Sequence, residues 1–143
     1  MKKFFIIIFL LGFYFAGVCQ FPVGKNIHVA EKELKQTLKN KGFTFLKAED
    51  EHESRVIKFS EEFEVIIGFN SYDNVSQITF LTFKNDLFEL LKSKFNFDTW
   101  AYKENRKNEW NDEEVVYEYK NYEIGFTDYK TGARTFTVSL SSK

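Results

Sequence analysis

Cysteine occurs once in this chain, at position 19 at the end of an apolar leader, and the residues that follow have none. Downstream of the leader that absence rules out a cysteine nucleophile, thiolate-bound zinc, an iron–sulfur cluster and any internal disulfide. Proline also occurs once, at Pro22, and glycine only seven times, so no stretch has the composition of a linker or a low-complexity segment. There is no nucleophile elbow, no HExxH helix, no phosphate-cradling glycine loop and no dinucleotide fingerprint. The two histidines fall in different predicted elements. His28 stands near a helix start, and His52 lies in "AEDEHES" among Glu49, Asp50, Glu51 and Glu53. That cluster lacks the glycine and the alternating ligand spacing of a calcium loop and reads as a solvated acidic turn. No metal, no cofactor and no enzymatic activity are expected.

Excess positive charge is missing too. The formal net charge is −1, and setting aside Lys2 and Lys3 leaves 18 basic against 21 acidic residues, a balance of −3. Such a chain has no basic footprint for nucleic acid and no polybasic patch for anionic lipid.

The chain does begin with "MKKFFIIIFLLGFYFAGVCQ". Lys2 and Lys3 precede an apolar run from Phe4 to Val18, shorter than the roughly 20 residues of a membrane-spanning helix and suited to a secretory signal. Gly17 and Cys19 are small residues at the −3 and −1 places of a cut before Gln20. Residues 1–19 therefore read as a bacterial signal peptide, with a periplasmic or extracellular mature chain and no further membrane span. An uncleaved anchor is one alternative. A lipid anchor on Cys19 is another, from which Val18 departs by replacing the Gly, Ala or Ser of a bacterial lipobox.

Removing the first 19 of 143 residues leaves 124, enough for one domain that buries roughly two-thirds of its unfolded surface. With no crosslink on offer, stability rests on aromatic burial. The whole chain holds 18 Phe, 7 Tyr and 2 Trp.

Helical periodicity marks residues 26–42, with Ile27, Ala30, Leu34 and Leu38 on one face, Asn26 as cap and Gly42 as stop. It marks residues 85–95 as well, where Leu87, Leu91 and Phe95 form a stripe widened by Phe88 and Leu90, and Asn85 or Asp86 caps the start. Strands are predicted at 43–48, 55–60, 63–69 and 76–83, then at 97–103, 114–120, 122–129 and 133–140. Turns fall at Asp73-Asn74 and at 130–132.

"GFNSYDNVSQITF" (68–80) is echoed 57 residues later by "GFTDYKTGARTFT" (125–137), and "LKNKGFTF" (38–45) by "LKSKFNFD" (91–98). Two αβββ-like units, about 26–84 and 85–143, within a single domain spanning 20–143, explain the echo, since neither alone would cover the apolar face of its sheet. The expected fold is α+β, a twisted antiparallel sheet with helices on one face. In layout it resembles the tandem small α+β modules of the secreted beta-lactamase inhibitor protein and PepSY-like periplasmic proteins. That resemblance implies an open aromatic sheet face docking onto a protein partner.

Candidate binding residues are Trp100, Tyr102 and Trp110. Trp100 and Tyr102 share one face of the predicted strand 97–103, opposite Phe97, and Trp110 lies in a polar loop of about ten residues, "KENRKNEWNDE". Tyr117 and Tyr119, in step with Val115, are assigned to the core, and Tyr72 and Tyr129 to packing at matched turns. Trp and Tyr serve as anchors at protein interfaces and also stack on sugar rings. The reading is a non-enzymatic binding module that contacts an envelope or secreted protein through an aromatic sheet face and a long loop. The alternative is a carbohydrate- or small-ligand-binding protein that uses Trp100 and Trp110. A concave pocket with carboxylates beside Trp100 would favour a ligand or an enzyme, and a broad shallow apolar face would favour a protein partner.

Overall fold

In the computed structural model, which describes residues 21–141, Asn26 caps the first helix as expected. Its side chain accepts the His28 amide at 3.0 Å, satisfying one of the donors a helix start leaves free. Helix α1 runs Ile27–Asn40 and buries Ile27, Ala30, Leu34 and Leu38, and Gly42 follows it in the left-handed region at φ +96°. The leader, with Cys19 and the cut before Gln20, lies outside the described residues.

Four strands come next: β1 (Lys47–Glu51), β2 (Ser54–Ser60), β3 (Phe63–Phe69) and β4 (Val75–Thr82). Helix α2 (Asn85–Ser93) is followed by four more: β5 (Ala101–Lys107), β6 (Glu113–Tyr119), β7 (Tyr122–Asp128) and β8 (Arg134–Leu140). All eight pair antiparallel in one sheet, in the order β1-β2-β3-β4-β8-β7-β6-β5. The fold is α+β and mostly sheet, with four strands after each helix. Among the described residues no helix is long and apolar enough to cross a membrane.

Side-chain alternation gives the sheet two unlike faces. On one, Ile57, Val65, Phe80, Phe136, Phe126 and Val115 stand side by side across six strands. The apolar stripes of both helices join these residues in one core. At the seam between β4 and β8, Phe80 and Phe136 stack with centroids 4.4 Å apart. Phe21 enters the same cluster from the start of the described chain, 5.0 Å from Phe95 and 6.5 Å from Phe136. Removing each such ring from water contributes about 1.5–3 kcal/mol.

The opposite face is polar. Thr79 and Thr137 share a 2.9 Å hydrogen bond at the seam, and further out Glu123 is 5% exposed beneath Lys103 and Arg106. Its carboxyl sits below the ordinary 4.5, chiefly through the Lys103 hydrogen bond. Burial opposes that shift, while Arg106 and Ser141 reinforce it. Gly125 keeps this network in place. A Cβ there would come 2.1 Å from the Glu114 carboxylate that holds Arg106 at 2.6 Å.

Several sequence expectations change here. The aromatic runs 43–46 and 97–100 are connections, while the first strand of each half is the charged stretch after them, "KAEDE" and "AYKENRK". Phe43 and Phe45 pack edge-on against Phe63 and Phe59 instead of pairing in a ladder. β1 and β5 are the two sheet edges, where charge deters pairing with other chains. The echoed motif also lies out of step with the hairpins. The β3–β4 and β7–β8 turns match as Asn70 with Tyr129 and Asp73 with Gly132, both 59 residues apart rather than 57. Tyr72 is therefore mid-turn and 81% exposed, with no packing role, whereas Tyr129 opens its turn half-buried. At α2 the cap is Lys84, without a side-chain bond, and Leu90 faces solvent.

Candidate functional site

α1 has 14 residues and α2 only nine, so the second half of the sheet is less fully roofed. Beside α2 the uncovered strip forms a cleft of about 540 Å³. Its floor is Val115 and Tyr117 of β6 with Ile124 and Phe126 of β7, and its wall is Phe97 and Trp100 from the α2–β5 connection, with Phe88 of α2. The volume lies within the usual range for small-molecule sites, as does the mixture of aromatic walls with a few charged groups.

The connection folds by a turn in which the Trp100 amide donates to the Phe97 carbonyl at 3.0 Å. The turn brings Trp100 back over Phe97, with centroids 6.1 Å apart and rings edge to face, and its other side tilts against Tyr119 at 5.8 Å. Phe97 also meets Phe126 edge-on at 5.7 Å, and Phe126 meets Tyr117 in the same way at 5.8 Å. The expectation that Trp100 stands on a strand face opposite Phe97 is thus corrected. Trp100 precedes β5, and the two rings line the same cleft.

Tyr102 is placed near this site and Trp110 is not. Tyr102 pairs with Tyr117 across β5 and β6, their rings meet edge-on at 6.0 Å, and it is 59% exposed at the sheet edge. Trp110 occupies the tip of the β5–β6 hairpin, at the opposite end of β5 from Trp100, and is 71% exposed. The expected ten-residue loop contracts to the turn Asn108–Asp112. The Asn108 side chain there accepts the Trp110 and Asp112 amides at 2.9 Å, and Asn111 takes φ 64°. Nor is the aromatic face the helix-free one. The aromatics stand on the helix side, where α2 stops short.

Charges border the cleft: Lys92, Asp98, Glu113, Asp128 and Arg134. The Arg134 guanidinium lies 4.2 Å from the Phe88 centroid, bonded to Asp128 at 2.5 Å and Glu89 at 3.0 Å. Both carboxylates raise its pKa, against burial, the larger single influence, which acts to lower it. The lining holds no histidine, serine or cysteine. Among the described residues no group of three or more metal-binding side chains gathers, and His52 sits in the exposed β1–β2 turn at φ 51°.

No family model matches the chain, and no curated protein does. Among solved structures it is similar to the crystal structure of a DUF4309 family protein (YjgB) from Bacillus subtilis subsp. subtilis str. 168. The match has 8% identity and a TM-score of 0.46 and covers 74% of this chain and 76% of that one.

A second, wider groove of about 980 Å³ lies beside α1 over Phe43 and Phe45. Its charges have the opposite balance, with Lys32, Lys35, Lys39 and Arg55 around Glu31. Glu31 is buried, which acts to raise its pKa, but hydrogen bonds from Arg55 and Lys35 outweigh burial and leave the carboxyl below the ordinary 4.5. Glu31 takes Lys35 and Arg55 as partners here, and Lys35 caps the Phe45 ring at 4.0 Å.

Of the three residues singled out from the sequence only Trp100 lines the cleft; Tyr117 and Val115 are assigned there to the interior, and Phe97 and Phe126 are not singled out as site residues. The available signal was the shorter apolar period of the second helix, which cannot roof four strands.

Proposed function

We propose that the protein is an exported, non-enzymatic binding module that holds a small, largely apolar ligand in the cleft beside α2. The observation that carries this reading is concavity. Five aromatic side chains, Phe88, Phe97, Trp100, Tyr117 and Phe126, converge on one partly enclosed volume rather than spreading over a flat face. Export rests on the leader sequence. The helix-plus-four-strands order of each half supports descent from a duplicated unit, the reading suggested by the sequence echo.

Contact with an envelope or secreted protein is the second reading, favoured by one observation. Trp110 and Tyr102 are large and exposed on the β5–β6 hairpin, Trp110 at its tip and Tyr102 at the sheet edge beside Tyr117. One experiment separates the two. Ligand-observed NMR against a library of small aromatic and aliphatic compounds of all charge types is run on the protein, Trp100→Ala and Trp110→Ala. Saturable binding that is lost in Trp100→Ala and kept in Trp110→Ala supports the cleft. A library with no Trp100-dependent binder overturns it.

A further inference from the structure

Resting on the cleft as a ligand site, we propose that its ligand is a small organic cation, an ammonium group on an apolar body, seated between the aromatic walls. Two independent observations converge on a positive charge. The first is the charge balance. Counting Glu89, which pairs with Arg134, four carboxylates (Glu89, Asp98, Glu113, Asp128) stand against two cations, Lys92 and Arg134. Arg134 is satisfied by Glu89 and Asp128, whereas Asp98 and Glu113 form no ion pair among the described residues, Glu113 having Lys107 opposite it across the β5–β6 ladder without a bridge. The mouth therefore carries unspent negative charge.

The second is the use already made of the rings. Both native cations of the cleft lie over aromatic faces, Arg134 over Phe88 at 4.2 Å and the Lys92 ammonium over Phe126 at 5.1 Å. Ring faces attract cations through their quadrupole, and the effect grows in a desolvated site. Phe97, Trp100, Tyr117 and Phe126 stand nearly perpendicular to their neighbours, with interplanar angles of 74° to 88°, so their walls are set at right angles around the volume. An ammonium ligand would meet aromatic walls within and carboxylates at the rim. Lys92 would then be its competitor for the Phe126 face. An anionic ligand would meet only Lys92, because Arg134 is already neutralised, and would face Asp98 and Glu113 at the rim.

The test uses three probes of similar shape: phenyltrimethylammonium, its neutral isostere tert-butylbenzene, and benzenesulfonate. Each is titrated calorimetrically into the protein, the double variant Asp98→Asn/Glu113→Gln, and Lys92→Met. The cation should bind about tenfold more tightly than the isostere. The double variant should weaken the cation several-fold and leave the isostere unchanged, and Lys92→Met should tighten the cation. Equal affinity for cation and isostere, or preference for the sulfonate, overturns the inference and leaves the cleft as a ligand site. No binding of any probe, together with no Trp100-dependent binder in the library, overturns both.

Discussion

Replacing Phe136 by Ala removes the ring at which the two halves of the sheet meet. Phe136 is fully buried, stacked 4.4 Å from Phe80, with Phe88, Phe95, Phe97, Phe126 and Phe21 at 5.8–6.5 Å. Its neighbours come from α2 and the segment after it, from the segment before α1, and from strands β4 and β7, so the site cannot collapse without moving several elements together. The loss should lie near the middle of the range for buried phenylalanine, about 4 kcal/mol. A domain of this length has on the order of 6–18 kcal/mol in all, so the variant should fold, with a urea midpoint lower by roughly 2 M. Two probes read the transition. Fluorescence comes from Trp100 and Trp110, both in the second half, while far-UV dichroism reports the whole sheet. The two curves should coincide in the native protein and in the variant, because the seam makes one cooperative unit. Leu140→Ala, at an exposed position, should cost less than about 0.5 kcal/mol. A Phe136→Ala cost below about 1.5 kcal/mol, or fluorescence that departs from dichroism in the native protein, would refute the seam as the keystone of the core.

Acid should also destabilise the fold in a defined window. Glu31 and Glu123 have folded pKa values below the ordinary 4.5, so the folded state binds fewer protons, and the stability they contribute is complete above that value. It is lost as pH falls through their lower folded values. The urea midpoint should hold from pH 7 to about 5 and drop below about 4.5, with a smaller drop in Glu123→Gln, and a flat profile would contradict the assignment. Gly125→Ala should displace Glu114 from Arg106 and cost about 1 kcal/mol; Gly125→Ala in a Glu114→Ala background should cost much less, and equal costs in both backgrounds would place the constraint elsewhere.

What could be read from the sequence divides along physical lines. Interior elements were legible, because α1, β3 and β7 each bury one regular face and their periods show it. The edges were not. An aromatic run such as Phe43–Phe45 has the propensity of a strand, yet an edge strand is better served by charge, so β1 and β5 took "KAEDE" and "AYKENRK" while the aromatic runs became packing straps. Trp110 does lie in a turn, but its expected loop was drawn too long for the same reason, since residues 103–107 belong to the edge strand β5. The cleft was hidden more deeply. Tyr117 and Phe126 alternate as core residues do, and only the length of the helix opposite decides whether such a residue is roofed or left to line a hollow.

The order of strands carries a consequence for timing. β4 finds its outer partner in β8, the last strand among the described residues, and Phe21, from the other end of that span, leans on Phe136 in that same strand. A chain leaving a ribosome thus keeps the outer edge of β4 unpaired until β8 has been made. Closure of this core waits on β8, because until then the two halves of the sheet have no ladder between them.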